Sequence, residues 1–180
     1  ITFINTCFEN RKMSYYEHCR YRNFEGVAIV CADYNDPDVL ELMNSDLPVV
    51  TIDYVHHNCT AVSSNNIQGM EDLVKYIYQQ GHRKIAYIHG QENSYVTKDR
   101  LASFYRIPRD ISVAGYDGTR ISQLLHPKLT TIRQNTELIG SEAAKRLIGT
   151  IEKPRTTLVE RVVIEGSLVP GQSVGKILQK

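Results

Sequence analysis

The chain has no long apolar run: its longest, such as residues 27–31, fall far short of the roughly 18–20 residues that a membrane helix requires. It has no excess of either charge. Lys+Arg 21 against Asp+Glu 20 leaves a formal charge of +1, which excludes a whole-surface electrostatic footprint for nucleic acid or anionic lipid. Residues 1–90 are the more acidic half and 91–180 the more basic, but no block of five like charges underlies the difference, so it reads as solvated faces. No basic, apolar, small-residue triplet opens the sequence, so no export signal is visible. Catalytic motifs are missing too. There is no Gly-rich phosphate loop, HExxH or GxSxG, and Gly115-Tyr116-Asp117-Gly118 lacks the lysine of a P-loop. Neither an enzyme nor a cofactor is expected.

Four cysteines, Cys7, Cys19, Cys31 and Cys59, are unevenly spaced and form no CxxC. They read most simply as reduced thiols, with Cys7 and Cys31 in apolar, strand-like settings. His18-Cys19 and His56-His57-Asn58-Cys59 bring soft ligands close together, yet adjacent ligands on a strand point apart and no paired-Cys knuckle completes a tetrahedral set. No metal is expected. Asp33, Asp36 and Asp38 look like a carboxylate cluster, but Asp36-Pro37 is a helix start and the others are first-turn charges. What remains is a 180-residue chain, 42% hydrophobic and 23% charged: ordinary values for a soluble, cytoplasmic α/β protein of one domain or two small lobes.

Short β-branched runs alternate with helical periods. Strands are expected at 1–5, 26–31, 48–53, 84–89, 111–116 and 129–133, several of them apolar on both alternations, as in a parallel sheet covered on both faces. Asp36-Pro37 opens a helix with Val39, Leu40, Leu42 and Met43 as its buried stripe. Asn65 or Asn66 caps the next, in which Ile67, Met70, Val74 and Ile77 recur, and Gly81 ends it. Thr136 opens a third, with Ile139, Ala143, Leu147 and Ile151 on one face and Lys153-Pro154 closing it. Strict alternation implies an open, doubly wound sheet. Ligands bind beyond the carboxyl ends of strands in such sheets. Asp53, Asp117 and Gln134 stand at strand ends, and Arg100 follows 84–89. Each alone has a plainer reading as a turn, helix-entry or surface residue. Together they fit a cleft.

Residues 81–90, GHRKIAYIHG, resemble the GHRxIAxIxG block of the LacI/GalR family of bacterial transcription regulators. Arg100-Leu101-Ala102-Ser103-Phe104 is similar to its RxxGF element, with Ser103 where glycine is usual. Residues 107–117 resemble its IPxDISVxGYD signature and 129–134 its LTTIxQ strand, and Gly140 with Ala143-Ala144 resembles its helix pattern. The resemblance implies a two-lobed fold like type I periplasmic binding proteins, crossed three times by the chain, with one lobe from about 1–62 and 133–155 and the other from 63–132 and 156–180. It implies effector contacts at Arg100 and Asp117, and less directly at Asp53 and Gln134. It also implies a homodimer that meets operator DNA only through a helix-turn-helix this chain does not carry, and no membrane partner.

Besides the helix-turn-helix and hinge helix expected to be absent, the sequence departs from the family pattern at two places. Residues 1–5 resemble the family's second strand, so a first strand and helix are missing. Arg106 runs directly into Ile107-Pro108, where the family inserts roughly half a lobe, which a few residues of loop cannot replace. An arginine and an aspartate facing one cleft suit a polyhydroxylated ligand, since a guanidinium only donates and a carboxylate only accepts. The same pair suits an amino-bearing ligand or a nucleobase, so a sugar is what the resemblance adds. The reading is therefore the effector-binding domain of a ligand-responsive repressor; the alternative is a transport-type periplasmic sugar-binding protein of the same fold.

Overall fold

The computed structural model describes residues 1–4, 7–8, 11–83, 85, 94–104, 113–124, 128–154 and 158–176. Within these, helices begin where side chains can satisfy the free N–H groups of a first turn. Ser14 accepts from the Glu17 backbone while the Glu17 carboxylate accepts from Ser14 N–H, a closed capping box that starts α1 (Tyr15–Tyr21). Asp36 caps α2 (Pro37–Met43) with proline in the first turn, as expected. Asn65, of the two candidates, caps α3 (Asn66–Gln79) by accepting from Gln68 N–H. Gly81, just past its end, has φ +97, a conformation that glycine adopts without steric cost. Helix α4 covers Tyr95–Phe104, α5 Arg120–Leu124 and α6 Thr136–Glu152.

The chain divides into two compact units, Ile1–Ser63 with Leu138–Val162, and Ser64–Glu137 with Val163–Lys180. The first is built on a sheet of order β3-β4-β5-β7: β3 (Val27–Ile29), β4 (Val49–Ile52), β5 (Thr60–Ser64) and β7 (Arg161–Ile164). Strands β3, β4 and β5 run parallel, with Val27 opposite Val49 and Val50 opposite Thr60. Val49, Val50 and Thr51 of the central β4 are all buried, the two-sided covering expected of a parallel strand. Its core gathers Cys19, Ile29, Val39, Leu42, Met43, Val49 and Cys59. Burial pushes the Cys59 thiol up to about 11, so it stays protonated at neutral pH. A short antiparallel pair, β1 (Cys7–Phe8) with β2 (Arg11–Lys12), precedes α1.

The second unit packs α3 against α4 and against β6 (Thr131–Arg133) and β8 (Ser167–Val169), which pair antiparallel. Gly115 adds a parallel bridge to Thr131. Met70, Leu73, Val74, Ile77, Ile132 and Val174 form its core. Arg133 pairs with Ser167 inside this unit, whose first segment runs to Glu137.

Several expectations change. Residues 1–4 form no strand, and β3 is an edge strand whose Ala28 is exposed and whose follower, Val30, is 54% exposed. Cys31, which ends that run, is exposed as well. Leu40 is partly exposed because it lies about 100° around α2 from Val39, which with Leu42 and Met43 makes the buried face. Ile67 is exposed for the same reason: the inward stripe of α3 runs Asn66, Gly69, Met70, Leu73, Val74, Ile77. The polar composition of β5 and the short β7 and β8 concealed them in the sequence. Most of the expected strand at 84–89, the junction Arg106-Ile107 and residues 107–112 of the signature lie outside the described residues.

Two contrasts follow. Leu42→Ala should destabilise the protein by about 2–5 kcal/mol and Leu40→Ala by less than about 1 kcal/mol in urea unfolding, because only Leu42 leaves a cavity. Gly140 faces open space on α6, so Gly140→Ala should stabilise by roughly 0.5–1 kcal/mol. A Cβ at Gly69 would instead collide with the Tyr116 hydroxyl, and Gly69→Ala should destabilise despite alanine's better helix propensity.

Candidate functional site

Three of the four residues singled out in the sequence meet inside the second unit. Arg100 projects from α4 with only 14% of its side chain exposed. A nearly enclosed guanidinium must be paired and hydrogen-bonded, and three neighbours do this. Its Nε donates to Asn66 Oδ1 at 2.9 Å, its Nη2 to Asp117 Oδ1 at 3.2 Å, and its planar face lies over the Tyr116 ring with Cζ 3.6 Å from the centroid. A stacked arginine of this kind is held in orientation as well as position.

Asp117 follows the Gly115 bridge, where the backbone turns through left-handed conformations at Asp117 (φ +79) and Gly118 (φ +58). Gly118 N–H donates to the buried Thr131 hydroxyl at 3.2 Å, which anchors the turn to β6. A Cβ at Gly118 would come within 2.5 Å of Arg133 Cα, so the position requires glycine. The turn leaves the Asp117 side chain 54% exposed, accessible to a ligand while it holds Arg100. Gln134, just beyond β6, donates its Nε2 to the same Asp117 Oδ1 at 2.5 Å and accepts from Ser64 Oγ at 2.7 Å.

Asp53, the fourth residue, belongs to the first unit. It follows β4 with φ +58 and donates its N–H to Val62 O at 3.0 Å. Beside it, the Tyr34 hydroxyl reaches the carbonyls of Ile52 (3.0 Å) and Ile29 (3.3 Å), and its ring stacks on Tyr54 with centroids 3.9 Å apart and planes 3° from parallel. Burial, reinforced by the Asp53 charge, raises the Tyr34 phenol far above its ordinary range. It therefore stays a neutral donor that ties the carboxyl ends of β3 and β4.

Sequence reasoning missed Ser64, Asn66 and Tyr116. Tyr116 lay within the quoted GYD block, while Asn66 competed with Asn65 for the role of helix cap and its inward face emerged only with the register of α3. Ser64 carried no signal, since its polar strand was not anticipated. Among the described residues no group of three His, Cys, Asp or Glu side chains could hold a metal, and no helix is long and apolar enough to cross a membrane.

Arranged in this way, the second unit offers a ligand donors from a fixed guanidinium beside an accessible carboxylate acceptor, a pairing suited to hydroxyl groups. Comparison with known proteins agrees with the fold. The family described as periplasmic binding proteins and sugar binding domain of LacI family matches residues 2–111, and a periplasmic binding protein-like domain matches residues 101–174. The transcriptional repressor PurR of Mannheimia succiniciproducens is 23% identical over 222 residues, covering 87% of this chain and 66% of that protein. This chain thus spans just under two thirds of that relative's length. The matched span also exceeds the 180 residues here, so the relative carries internal residues without a counterpart. Among solved structures, a LacI family transcriptional regulator from Enterococcus faecalis with bound ribose superposes with TM-score 0.75 at 17% identity, over 94% of this chain and 86% of that one. A periplasmic binding protein/LacI transcriptional regulator from Alkaliphilus metalliredigens, complexed with D-xylulofuranose, superposes with TM-score 0.72 at 19% identity, over 89% and 81%. With more than half of its residues matched by the first of these models, the chain belongs to the family of periplasmic binding proteins and LacI-type sugar-binding domains.

Proposed function

We propose that this chain is the effector-binding module of a ligand-responsive transcriptional repressor and that its effector is a small sugar or related polyol. The observation that carries the reading is the Arg100–Asp117 pair, one member enclosed and oriented by Tyr116 and Asn66, the other accessible at a turn held in a left-handed conformation. Arg100 donates to ring or hydroxyl oxygens, Asp117 accepts from hydroxyls, and Gln134 supplements both from the end of β6. Repressors among the relatives and sugars bound in similar folds support this reading over the transport protein. The module binds its ligand without converting it and works in the cytoplasm, where the DNA is.

In this reading the two lobes follow the two compact units, joined by three chain crossings. A ligand that binds one arrangement of the domain more tightly shifts the population towards it, and a two-fold homodimer passes the shift to paired helix-turn-helix domains on operator half-sites. The 180-residue protein should accordingly scatter light as a dimer at micromolar concentration; a monomer would count against regulation through paired half-sites.

Calorimetric titration with D-ribose and D-xylulose tests the site. Arg100→Ala removes charge-assisted hydrogen bonds worth about 1.5–3 kcal/mol and should weaken binding about ten- to a hundredfold or more. Arg100→Lys should recover little, because an ammonium reproduces neither the fork nor the stack on Tyr116. Equal affinities in all three proteins would remove Arg100 from the site.

A further inference from the structure

The polar contacts of the second unit close into a ring. The Ser64 hydroxyl donates to Gln134 Oε1 (2.7 Å), Gln134 Nε2 donates to Asp117 Oδ1 (2.5 Å), and Arg100 Nη2 donates to the same oxygen (3.2 Å). Arg100 Nε donates to Asn66 Oδ1 (2.9 Å), and Asn66 Nδ2 returns to the Ser64 carbonyl (3.3 Å). Ser64 is 6% exposed and Asn66 4%, so neither can exchange its partner for bulk water without cost.

The ring has a single consistent polarity. A carboxylate only accepts and a guanidinium only donates, so the Gln134 carboxamide must turn its NH2 to Asp117 and the Asn66 carboxamide its oxygen to Arg100. That leaves Gln134 Oε1 and Asn66 Nδ2 pointing away from the charged pair, and both end on one residue: Oε1 on the Ser64 hydroxyl, Nδ2 on the Ser64 carbonyl. We infer that Ser64 and Asn66 are positioning residues that set the hydrogen-bonding polarity of the effector site, Ser64 by fixing the carboxamide of Gln134 and Asn66 by fixing the guanidinium of Arg100. The inference rests on the effector reading above and assigns the selectivity of that site to two residues beneath it. With Asp117 Oδ1, Arg100 Nε and one N–H of Arg100 Nη2 already engaged inside the ring, the ligand meets Asp117 Oδ2 and the remaining Nη N–H groups, an acceptor beside donors. A ligand that brings a hydroxyl donor to Asp117 and an oxygen acceptor to Arg100 fits. One that presents an acceptor-only group to Asp117 does not.

Two measurements on the intact chain separate this inference from the effector reading. The first needs no ligand. In the nitrogen–proton spectrum, the Gln134 side-chain amide, assigned by its loss in Gln134→Leu, should show a downfield proton and slowed exchange from its bond to a carboxylate. Ser64→Ala should move that signal and speed its exchange, Ser64→Thr should restore it, and Asn66→Ala should shift the Arg100 Nε–H resonance. An unchanged Gln134 amide in Ser64→Ala, or an unchanged Arg100 resonance in Asn66→Ala, overturns the inference. The two variants are independent, so a folding failure in one leaves the other decisive. The second measurement is D-ribose calorimetry, in which Ser64→Ala should weaken binding roughly two- to tenfold and Ser64→Thr should recover it. Measurable ribose binding by the wild type with the same affinity in Ser64→Ala also overturns it. If the wild-type protein binds no ribose while the amide signal still depends on Ser64, the sugar reading falls and the positioning of Gln134 by Ser64 stands.

Discussion

An arginine with 14% of its side chain exposed is the constraint around which the second unit is arranged. Taking a guanidinium out of water costs several kcal/mol unless its charge and its N–H groups find partners. Here each partner imposes a further requirement. The Tyr116 ring beneath Arg100 brings its hydroxyl to the space that a side chain at position 69 would fill, so α3 carries glycine in its interior at a cost of about 1 kcal/mol in helix propensity. Asp117 must turn back towards Arg100 from a strand end, which takes two successive residues with positive φ, the second a glycine pressed against Arg133. Asn66 must face inward, which is possible because Asn65 has taken over the capping of α3.

The same economy of backbone appears in the first unit. Cys31 and Asp53, which follow β3 and β4, both have positive φ, at +55 and +58. Residues of this kind outside glycine are uncommon and cost of order 1–3 kcal/mol each, and they persist where surrounding contacts enforce them. Next to Asp53, the neutral hydroxyl of Tyr34 bonds the carbonyls that end both strands, and its ring is stacked on Tyr54. Strand ends of parallel sheets are where ligands of α/β proteins bind. Among the described residues, three of the four non-glycine residues with positive φ follow a parallel strand or bridge, and two of those are aspartates.

How far the fold could be read in advance depended on whether its signals were local. The Asp36-Pro37 helix start, the Asn65 cap and the glycine after α3 are each a few residues of chain chemistry, and each lies where expected. Helix phase was less accessible: a Leu40 or an Ile67 looks like its buried neighbours until a partner element chooses one face, and then a 100° step puts it in water. Strand β5 was invisible because Thr-Ala-Val-Ser-Ser has the composition of a loop, and it is a strand only through its place between β4 and β7.

By itself the sequence determined the caps and turns, the ordered blocks that resemble a regulator family, and the identity of Arg100, Asp117 and Gln134 as polar groups at element ends. Those properties are written in residues a few positions apart. Only the tertiary structure decided which of these groups share a site and what orients them. Arg100 meets Asn66 across 34 residues of sequence and Asp117 across 17, and Ser64 meets Gln134 across 70. Hydrogen-bond direction belongs to no single residue: a carboxamide has two ends, and which end faces the charge is settled only when a carboxylate on one side and a hydroxyl on the other are brought to it by the fold.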